Sequence, residues 1–113
     1  MRSVLHAKIH NATVTEANLE YVGSISIDEA LLERVGLWPG EKVMVVSNSS
    51  GARLDTYVIV APRDSGTIAM NGAAAHKIKA GEEVIIMGFK MSEEAVEPMM
   101  ILVDEKNRFV RYL

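Results

Sequence analysis

The chain has 113 residues, of which 49% are hydrophobic, and it carries a formal net charge of -3. This length and composition predict one folded domain over residues 1–113 with one core, and they argue against a disordered chain. The negative net charge and the scattered basic residues argue against a nucleic-acid partner. The lack of cysteine excludes a disulfide framework and a thiolate metal site.

Signals for secretion and membrane insertion are also missing. The first residues lack the apolar stretch of a signal peptide. No run approaches the roughly 18 apolar residues that span a bilayer. We therefore expect a cytoplasmic protein with no membrane partner.

The first quarter of the chain predicts two extended segments separated by a turn. Apolar and polar residues alternate over Leu5–His10, which indicates a strand with one polar face. Thr15–Asn18 is typical of a short helical turn. The chain is then predicted to be extended over Tyr21–Ile27.

A short helix and a tight turn are predicted next. Asp28 can cap a helix that runs to about Val35. Gly36 can end this helix because glycine tolerates a left-handed backbone. Pro39-Gly40 is typical of a tight turn, in which proline sets the first corner and glycine the second.

The rest of the chain predicts further strands and one short helical segment. A loop at 48–51 predicts a hairpin, and a second hairpin is predicted across residues 104–107. The strands are predicted at Val43–Val46, Arg53–Ala61, Thr67–Met70, Val84–Phe89, Met99–Val103 and Phe109–Tyr112, and the helical turn at Gly72–Lys77.

Two similar segments suggest an internal repeat. Leu37–Val46 resembles Ile78–Met87, with Pro-Gly-Glu in the first copy and Ala-Gly-Glu in the second. Two related strand-helix-turn-strand units in so short a chain favour a pseudo-twofold barrel over an array, which needs about three units. A closed sheet would also leave no exposed edge. We therefore predict a mainly β fold, a small six-stranded barrel with short helices.

Common catalytic and metal-binding patterns do not fit this sequence. His6 and His10 lie on one face of the first strand but about 13 Å apart, too far to share one ion without a bend. The sequence has no Gly-x-Ser-x-Gly elbow, no Gly-x-Gly-x-x-Gly turn and no Walker loop.

One polar strand face could bind a small dianion. Alternation along Arg53–Val58 places Arg53, Asp55 and Tyr57 on one side and Thr56 on the other. Lys8 and His10 share the polar face of the first strand. Arginine offers a bidentate fork and lysine a point charge to carboxylates. The alternative is an ordinary solvated strand face.

Several segments together resemble the pyruvoyl-dependent aspartate decarboxylases. Each segment is weak alone, but their order and spacing at this chain length are specific. They are Lys8-Ile9-His10, Ala17–Ser24, Ile27-Asp28, Arg53–Tyr57 and Asn71–His76. The resemblance implies a double-psi six-stranded β-barrel.

The resemblance implies that the chain cuts itself between Gly23 and Ser24 into residues 1–23 and 24–113. The Ser24 hydroxyl would attack the Gly23 carbonyl, and elimination followed by hydrolysis would leave a covalent pyruvoyl group derived from Ser24. This cofactor would form a Schiff base with L-aspartate, without metal or pyridoxal phosphate. The products would be CO2 and β-alanine, a precursor of pantothenate.

The resemblance also assigns roles to individual residues. Tyr57 would donate the proton that replaces the lost carboxylate, Arg53 and Lys8 would hold the substrate carboxylates, and Thr56 would orient the Gly23 carbonyl. The backbone of Gly72, Ala73 and Ala74 would line the pocket, with Asn71 and His10 in supporting positions. His76, like His10, has a counterpart in the family, and both fit a structural histidine equally well.

The resemblance implies a homotetramer with active sites at subunit interfaces. Cleavage would be either spontaneous or assisted by a maturation factor. Two other functions stay open from the residues alone: a non-catalytic double-psi barrel that serves as a binding module, and a decarboxylase-like chain that is never processed.

Overall fold

Nine strands and two short helices form in the computed structural model, which describes residues 1–113. The predicted mainly β fold with short helices is confirmed. The strands are β1 (Arg2–Thr13), β2 (Glu16–Asn18), β3 (Ser24–Asp28), β4 (Lys42–Ser47), β5 (Arg53–Ala61), β6 (Ile68–Asn71), β7 (Glu83–Ser92), β8 (Met99–Val103) and β9 (Phe109–Tyr112), and the helices are α1 (Glu29–Val35) and α2 (Ala74–Lys77).

The strands form one mixed sheet in the order β2-β6-β3-β5-β4-β7-β1-β8-β9. The ladder is open, with β2 and β9 at its two ends. The predicted hairpins β4–β5 and β8–β9 are confirmed as antiparallel pairs. Eight of the nine strands correspond to segments predicted from the sequence, and β2 is the additional one. β8 and β9 extend the sheet beyond β1, so the sheet has more strands than the six predicted for a barrel.

The predicted helical turn at Thr15–Asn18 is wrong. Its last three residues form β2, which pairs in parallel with β6 in the register Glu16↔Ala69 to Asn18↔Asn71. The Thr15 backbone N–H donates to the Ile68 carbonyl at 2.8 Å. Its hydroxyl also donates to this carbonyl and accepts from the Ile68 N–H, both at 3.0 Å. These long-range bonds outweigh the local helical preference.

The predicted capping of α1 is confirmed at both ends. The Asp28 carboxylate accepts the Ala30 backbone N–H at 2.8 Å, which satisfies one of the free donors of the first turn. Gly36 ends the helix at φ +76°. An apolar stripe of α1 faces the core through Leu31, Leu32 and Val35.

The two copies of the repeat form the same turn. In the first copy a Glu41 carboxylate oxygen accepts the Trp38 backbone N–H at 3.0 Å, and in the second a Glu82 oxygen accepts the Lys79 N–H at 2.6 Å. The glycine before each glutamate has a left-handed φ, +81° and +89° respectively. The sequence similarity therefore reflects a shared backbone conformation.

The strands that follow these turns are related by a local twofold. The repeat offset equates Val45 of β4 with Ile86 of β7, and these two residues face each other in the antiparallel β4–β7 ladder. An axis between them exchanges the two copies.

The core lies against the inner face of this sheet. Alternation along β4 buries every second residue, as the period of a strand requires, and β1 does the same at Ala7 and Ile9. No helix is long and apolar enough to cross a membrane. The largest fully buried side chains are Ile9, Ile25, Ile27, Ile68, Met70, Ile78, Ile86 and Ile101.

Candidate active site

Ser24 is the first residue of β3, and its side chain is fully buried. It faces Asn71 directly in the antiparallel β3–β6 ladder. The Asn71 side-chain amide donates from Nδ2 to Ser24 Oγ at 2.8 Å and to Ser26 Oγ at 2.9 Å. Because a buried hydroxyl needs a hydrogen-bond partner, this amide fixes the position of Ser24.

The residue before Ser24 lies against the turn that follows β6. Gly72 has φ +64°, and a Cβ added there would lie 2.7 Å from Gly23 Cα, Gly23 N and Tyr21 O. The Gly72 backbone N–H donates to the Asn18 carbonyl at 2.7 Å. Only glycine allows this approach, so the backbones on both sides of the Gly23–Ser24 bond are held closely.

An open groove of about 690 Å³ reaches this bond. It lies between β5, the start of α2 and the residue before Ser24. Ten residues line it: Gly23, Arg53, Leu54, Asp55, Thr56, Tyr57, Ala73, Ala74, His76 and Lys77. The structure thus brings together seven of the residues singled out in the sequence: Gly23, Arg53, Thr56, Tyr57, Ala73, Ala74 and His76.

The alternation predicted along β5 is confirmed. Arg53, Asp55 and Tyr57 are exposed, and Thr56 between them is half-buried. Thr56 and Tyr57 nevertheless both line the groove, because the parallel β3–β5 pairing starts at Ile25↔Val58. This register places the residues before Ile25 beside those before Val58. The site therefore forms at the end of the β3–β5 pairing and not on one face of the sheet.

Arg53 has a free charge within the groove. Its Nη1 lies 3.3 Å from the sulfur of Met44, and it forms no ion pair. The neighbouring Asp55 carboxylate instead pairs with Lys42 at 3.6 Å. A guanidinium without a carboxylate partner can receive a substrate carboxylate by a bidentate contact.

Lys8 and His10 do not reach this groove within one chain. They lie on β1, where Lys8 pairs with Met87 of β7 and His10 with Leu102 of β8. Two strands, β4 and β7, separate β1 from β5, which amounts to about 14 Å along the sheet. The His10 ring is half-buried, and its Nδ1 is buried without a hydrogen-bond partner.

Some residues at the site were not identified from the sequence, among them Leu54, which lines the groove on β5. Ser26 shares the Asn71 amide with Ser24, and Lys77 lines the groove at the end of α2. A signal for Ser26 was present, since residues two apart on a strand share a face. No local signal points to Lys77.

Known proteins of one family match this chain along nearly its whole length. A family model described as aspartate decarboxylase matches residues 1–110. A Listeria innocua protein named aspartate 1-decarboxylase is 54% identical over 110 residues, which cover 94% of this chain and 87% of the relative. The aspartate 1-decarboxylase of Bacillus subtilis is 48% identical over 116 residues, covering 99% and 91%. That of Desulfitobacterium hafniense is 53% identical over 114 residues, covering 97% and 90%.

Proposed function

The chain belongs to the aspartate decarboxylase family, and from this premise we propose that it converts L-aspartate into β-alanine and CO2 with a pyruvoyl group made from its own Ser24. The observation that carries the proposal is the position of Ser24. Its buried hydroxyl is held by Asn71 beside a groove that contains an unpaired arginine, a tyrosine and a threonine. A serine in an ordinary strand would need none of these neighbours.

The residues around Ser24 suit formation of the group. Oγ attacks the Gly23 carbonyl carbon, the Gly23–Ser24 C–N bond breaks, and the Oγ proton passes to the freed Ser24 nitrogen. The Cα proton is then lost to solvent as the Cβ–Oγ bond breaks, which releases the Gly23 carboxylate and leaves dehydroalanine. Water replaces the nitrogen, which leaves as ammonia. A hydroxyl is a weak nucleophile, so close placement by Asn71 and Gly72 supports the first step.

The pyruvoyl ketone supplies an electron sink for the carbanion that remains when the α-carboxylate leaves. Arg53 binds a substrate carboxylate in the groove and so orients the bond that breaks. Tyr57 donates a proton to the carbon that has lost CO2.

Other residues of the groove and of the adjoining turn act on the same reacting atoms. Thr56 orients the Gly23 carbonyl during cleavage and the substrate afterwards. The small residues Gly72, Ala73 and Ala74 let backbone amides approach the ligand. Asn71 holds the turn that carries them.

We assign Lys8 to the second substrate carboxylate and place it on a neighbouring copy of the chain. The separation of β1 from β5 by two strands supports this assignment, because Lys8 does not line the groove that contains Arg53. The unpartnered Nδ1 of His10, on the same strand, lies where a neighbouring copy could supply an acceptor or donor. A homotetramer with sites at its subunit interfaces satisfies both requirements.

The finer architecture proposed is a double-psi barrel of six strands over one domain, residues 1–113. If β1 and β2 count as one strand interrupted at Val14 and Thr15, the pairings run in a ring: β4, β7, β1 with β2, β6, β3, β5 and back to β4. Backbone hydrogen bonds continue across the interruption, since Val14 N–H donates to the Glu82 carbonyl at 2.9 Å and Gly81 N–H to Val14 at 2.8 Å. β8 and β9 then form an appendage outside the ring.

The denatured mass of the purified protein tests the proposal. We expect two fragments, residues 1–23 and 24–113, with the larger one lighter by one ammonia than a chain that starts with serine. Incubation with L-aspartate should then release CO2 and β-alanine. The Ser24→Ala variant should stay full length, folded and inactive.

Other outcomes of this test would point elsewhere. Decarboxylation by Ser24→Ala would overturn the pyruvoyl mechanism. A parent chain that stays intact even after prolonged warming, and is cut only when a second protein is added, would assign maturation to an assisting factor. An intact chain that no treatment cleaves would favour a binding module.

A further inference from the structure

Ser26 shares the Asn71 amide with Ser24. The two serines lie two residues apart on β3, so their side chains are on the same face. Asn71 Nδ2 lies 2.8 Å from Ser24 Oγ and 2.9 Å from Ser26 Oγ. A side-chain amide nitrogen has two hydrogens, and these two acceptors use both.

The second acceptor fixes which end of the amide faces Ser24. The terminal torsion of asparagine is broad and roughly two-fold, so the amide can present either its nitrogen or its oxygen to a neighbour. With both hydrogens held by hydroxyl oxygens of β3, the nitrogen faces Ser24 Oγ. Without Ser26, one of the two contacts that select this orientation is lost.

A donor at Ser24 Oγ has different effects on the two steps of cleavage. During the attack on Gly23, Oγ forms a bond to carbon and loses its proton to the Ser24 nitrogen. During elimination, the Cβ–Oγ bond breaks and Oγ leaves with the bonding pair as part of the Gly23 carboxylate. Only here does Oγ gain negative charge, and a hydrogen bond to a charged acceptor is about twice as strong as a neutral one.

We propose that Ser26 is a positioning residue for self-cleavage, which holds the Asn71 amide so that Nδ2 stabilises Oγ as it leaves in the elimination step. The inference rests on the proposed pyruvoyl function and assigns Ser26 a role in one step of it. Ser26 touches neither the reacting bond nor the groove; it acts through Asn71.

The test is a time course of cleavage in the Ser26→Ala variant, purified before processing is complete. Neutral hydroxylamine splits an ester but not a peptide bond, so it releases a fragment of residues 24–113 that begins with serine wherever the ester is present. We expect elimination to slow about three- to tenfold, the effect of one lost hydrogen bond. The ester should therefore accumulate, and the pyruvoyl fragment should appear late.

Three further variants separate this role from a loss of folding. Ser26→Thr keeps the hydroxyl and should restore cleavage. Ser47→Ala is the matched control, because Ser47 is a buried strand serine whose hydroxyl donates to Glu82 at 2.5 Å, and it should cleave like the parent. Asn71→Asp replaces the donor by an acceptor while keeping Ser26, and should accumulate more ester than Ser26→Ala. Thermal unfolding of each variant monitors the fold.

Some results would overturn the inference. Cleavage of Ser26→Ala at the parent rate, or slower cleavage without ester, would reduce Ser26 to a packing residue. If Ser26→Ala does not fold, Asn71→Asp decides alone, and absence of ester there would contradict the proposal. A parent chain that never cleaves would overturn the pyruvoyl function as well, so the two failures are distinguishable.

Discussion

Ser24 and Arg53 differ in what the fold does to them. Ser24 is removed from water and held by a cross-strand amide, which suits a group that must react once with its own neighbour. Arg53 stays exposed and without an ion pair, which suits a group that must bind and release a substrate many times. At the scale of single residues, the site thus combines one fixed reacting group with one available charge.

The Arg53→Ala variant should still cleave itself but lose most of its turnover. A charge-assisted hydrogen bond to a carboxylate contributes roughly 1.5–3 kcal/mol, so kcat/KM for L-aspartate should fall about ten- to a hundredfold. The measurement is steady-state kinetics normalised to the pyruvoyl content from denatured mass. Arg111→Ala on β9 is the control for loss of one arginine, and unchanged kinetics in Arg53→Ala would mean that the substrate binds elsewhere.

At the scale of elements, turns and strand ends build the site. The groove is formed where β3 and β5 begin their pairing and where β6 passes through Gly72 into α2. The conformation of that turn decides how closely Gly23 approaches. Its backbone is therefore as important for the cleaved bond as the side chains that line the groove.

The Gly72→Ala variant should cleave slowly. The added methyl would lie 2.7 Å from atoms of Gly23 and Tyr21, so the segment before Ser24 must shift. Misplacement of reacting groups by about 1 Å costs up to about a hundredfold in rate, and we expect cleavage to slow roughly tenfold or more. The rate of appearance of fragment 24–113 by mass measures this effect.

Gly51→Ala is the matched control for Gly72→Ala. Gly51 also has a positive φ, +78°, but a Cβ there meets no atom within 4 Å. It should cost about 1–2 kcal/mol of stability through backbone strain while leaving cleavage unchanged. Equal slowing in both variants would show that strain alone, and not the contact with Gly23, explains the result.

The turn before β7 should contribute a pH-dependent part of the stability. The Ser47 hydroxyl bonded to Glu82, with the Lys79 backbone N–H, lowers the pKa of the Glu82 carboxyl. A carboxyl whose pKa is lower in the folded than in the unfolded state stabilises the protein at pH values above the unfolded pKa, near 4.3. This stabilisation is lost as the pH falls further. Between about pH 5 and pH 3, Glu82→Gln should therefore lose less unfolding free energy than the parent protein loses.

Chemical denaturation at several pH values measures this difference. Glu105→Gln, an exposed residue in the turn between β8 and β9, controls for the removal of one acidic charge. An acid-induced loss of stability in Glu82→Gln as large as in the parent would contradict the stabilising role assigned to Glu82.

At the scale of the whole molecule, the two cations proposed to bind the substrate lie apart in one chain. Arg53 lies in the groove and Lys8 lies on β1, which two intervening strands separate from β5. The proposed shared site makes assembly a condition for activity. It also allows a test of whether Arg53 and Lys8 of one site come from different copies of the chain.

Mixed oligomers of Arg53→Ala and Lys8→Ala should be more active than either variant alone. If a site takes Arg53 from one copy and Lys8 from another, random co-assembly of equal amounts gives about one intact site in four. Co-expression of the two variants with different tags, purification through both tags and assay with L-aspartate measure the recovery. No recovery would place both residues in one chain's site or remove Lys8 from it.

Local signals in the sequence were sufficient for the elements whose formation depends on near neighbours. The cap at Asp28, the stop at Gly36, the hairpin of β4 and β5 and the alternation along β5 all follow from bonds within a few residues. The repeat predicted the twofold turns because both copies carry the same glycine and glutamate. Thr15–Asn18 was predicted wrongly because its partner, β6, lies more than fifty residues away.

The composition and order of motifs determined the fold class and the family of this protein, since both depend on patterns written along the chain. Tertiary structure alone decided that Asn71 bonds Ser24 and Ser26, that Gly72 packs on Gly23, and that Arg53 is left without an ion pair. The physical reason is that hydrogen bonds and close backbone contacts act over about 3 Å, so they depend on which strands pair and in what register. A change of one residue in that register would turn Asn71 away from Ser24.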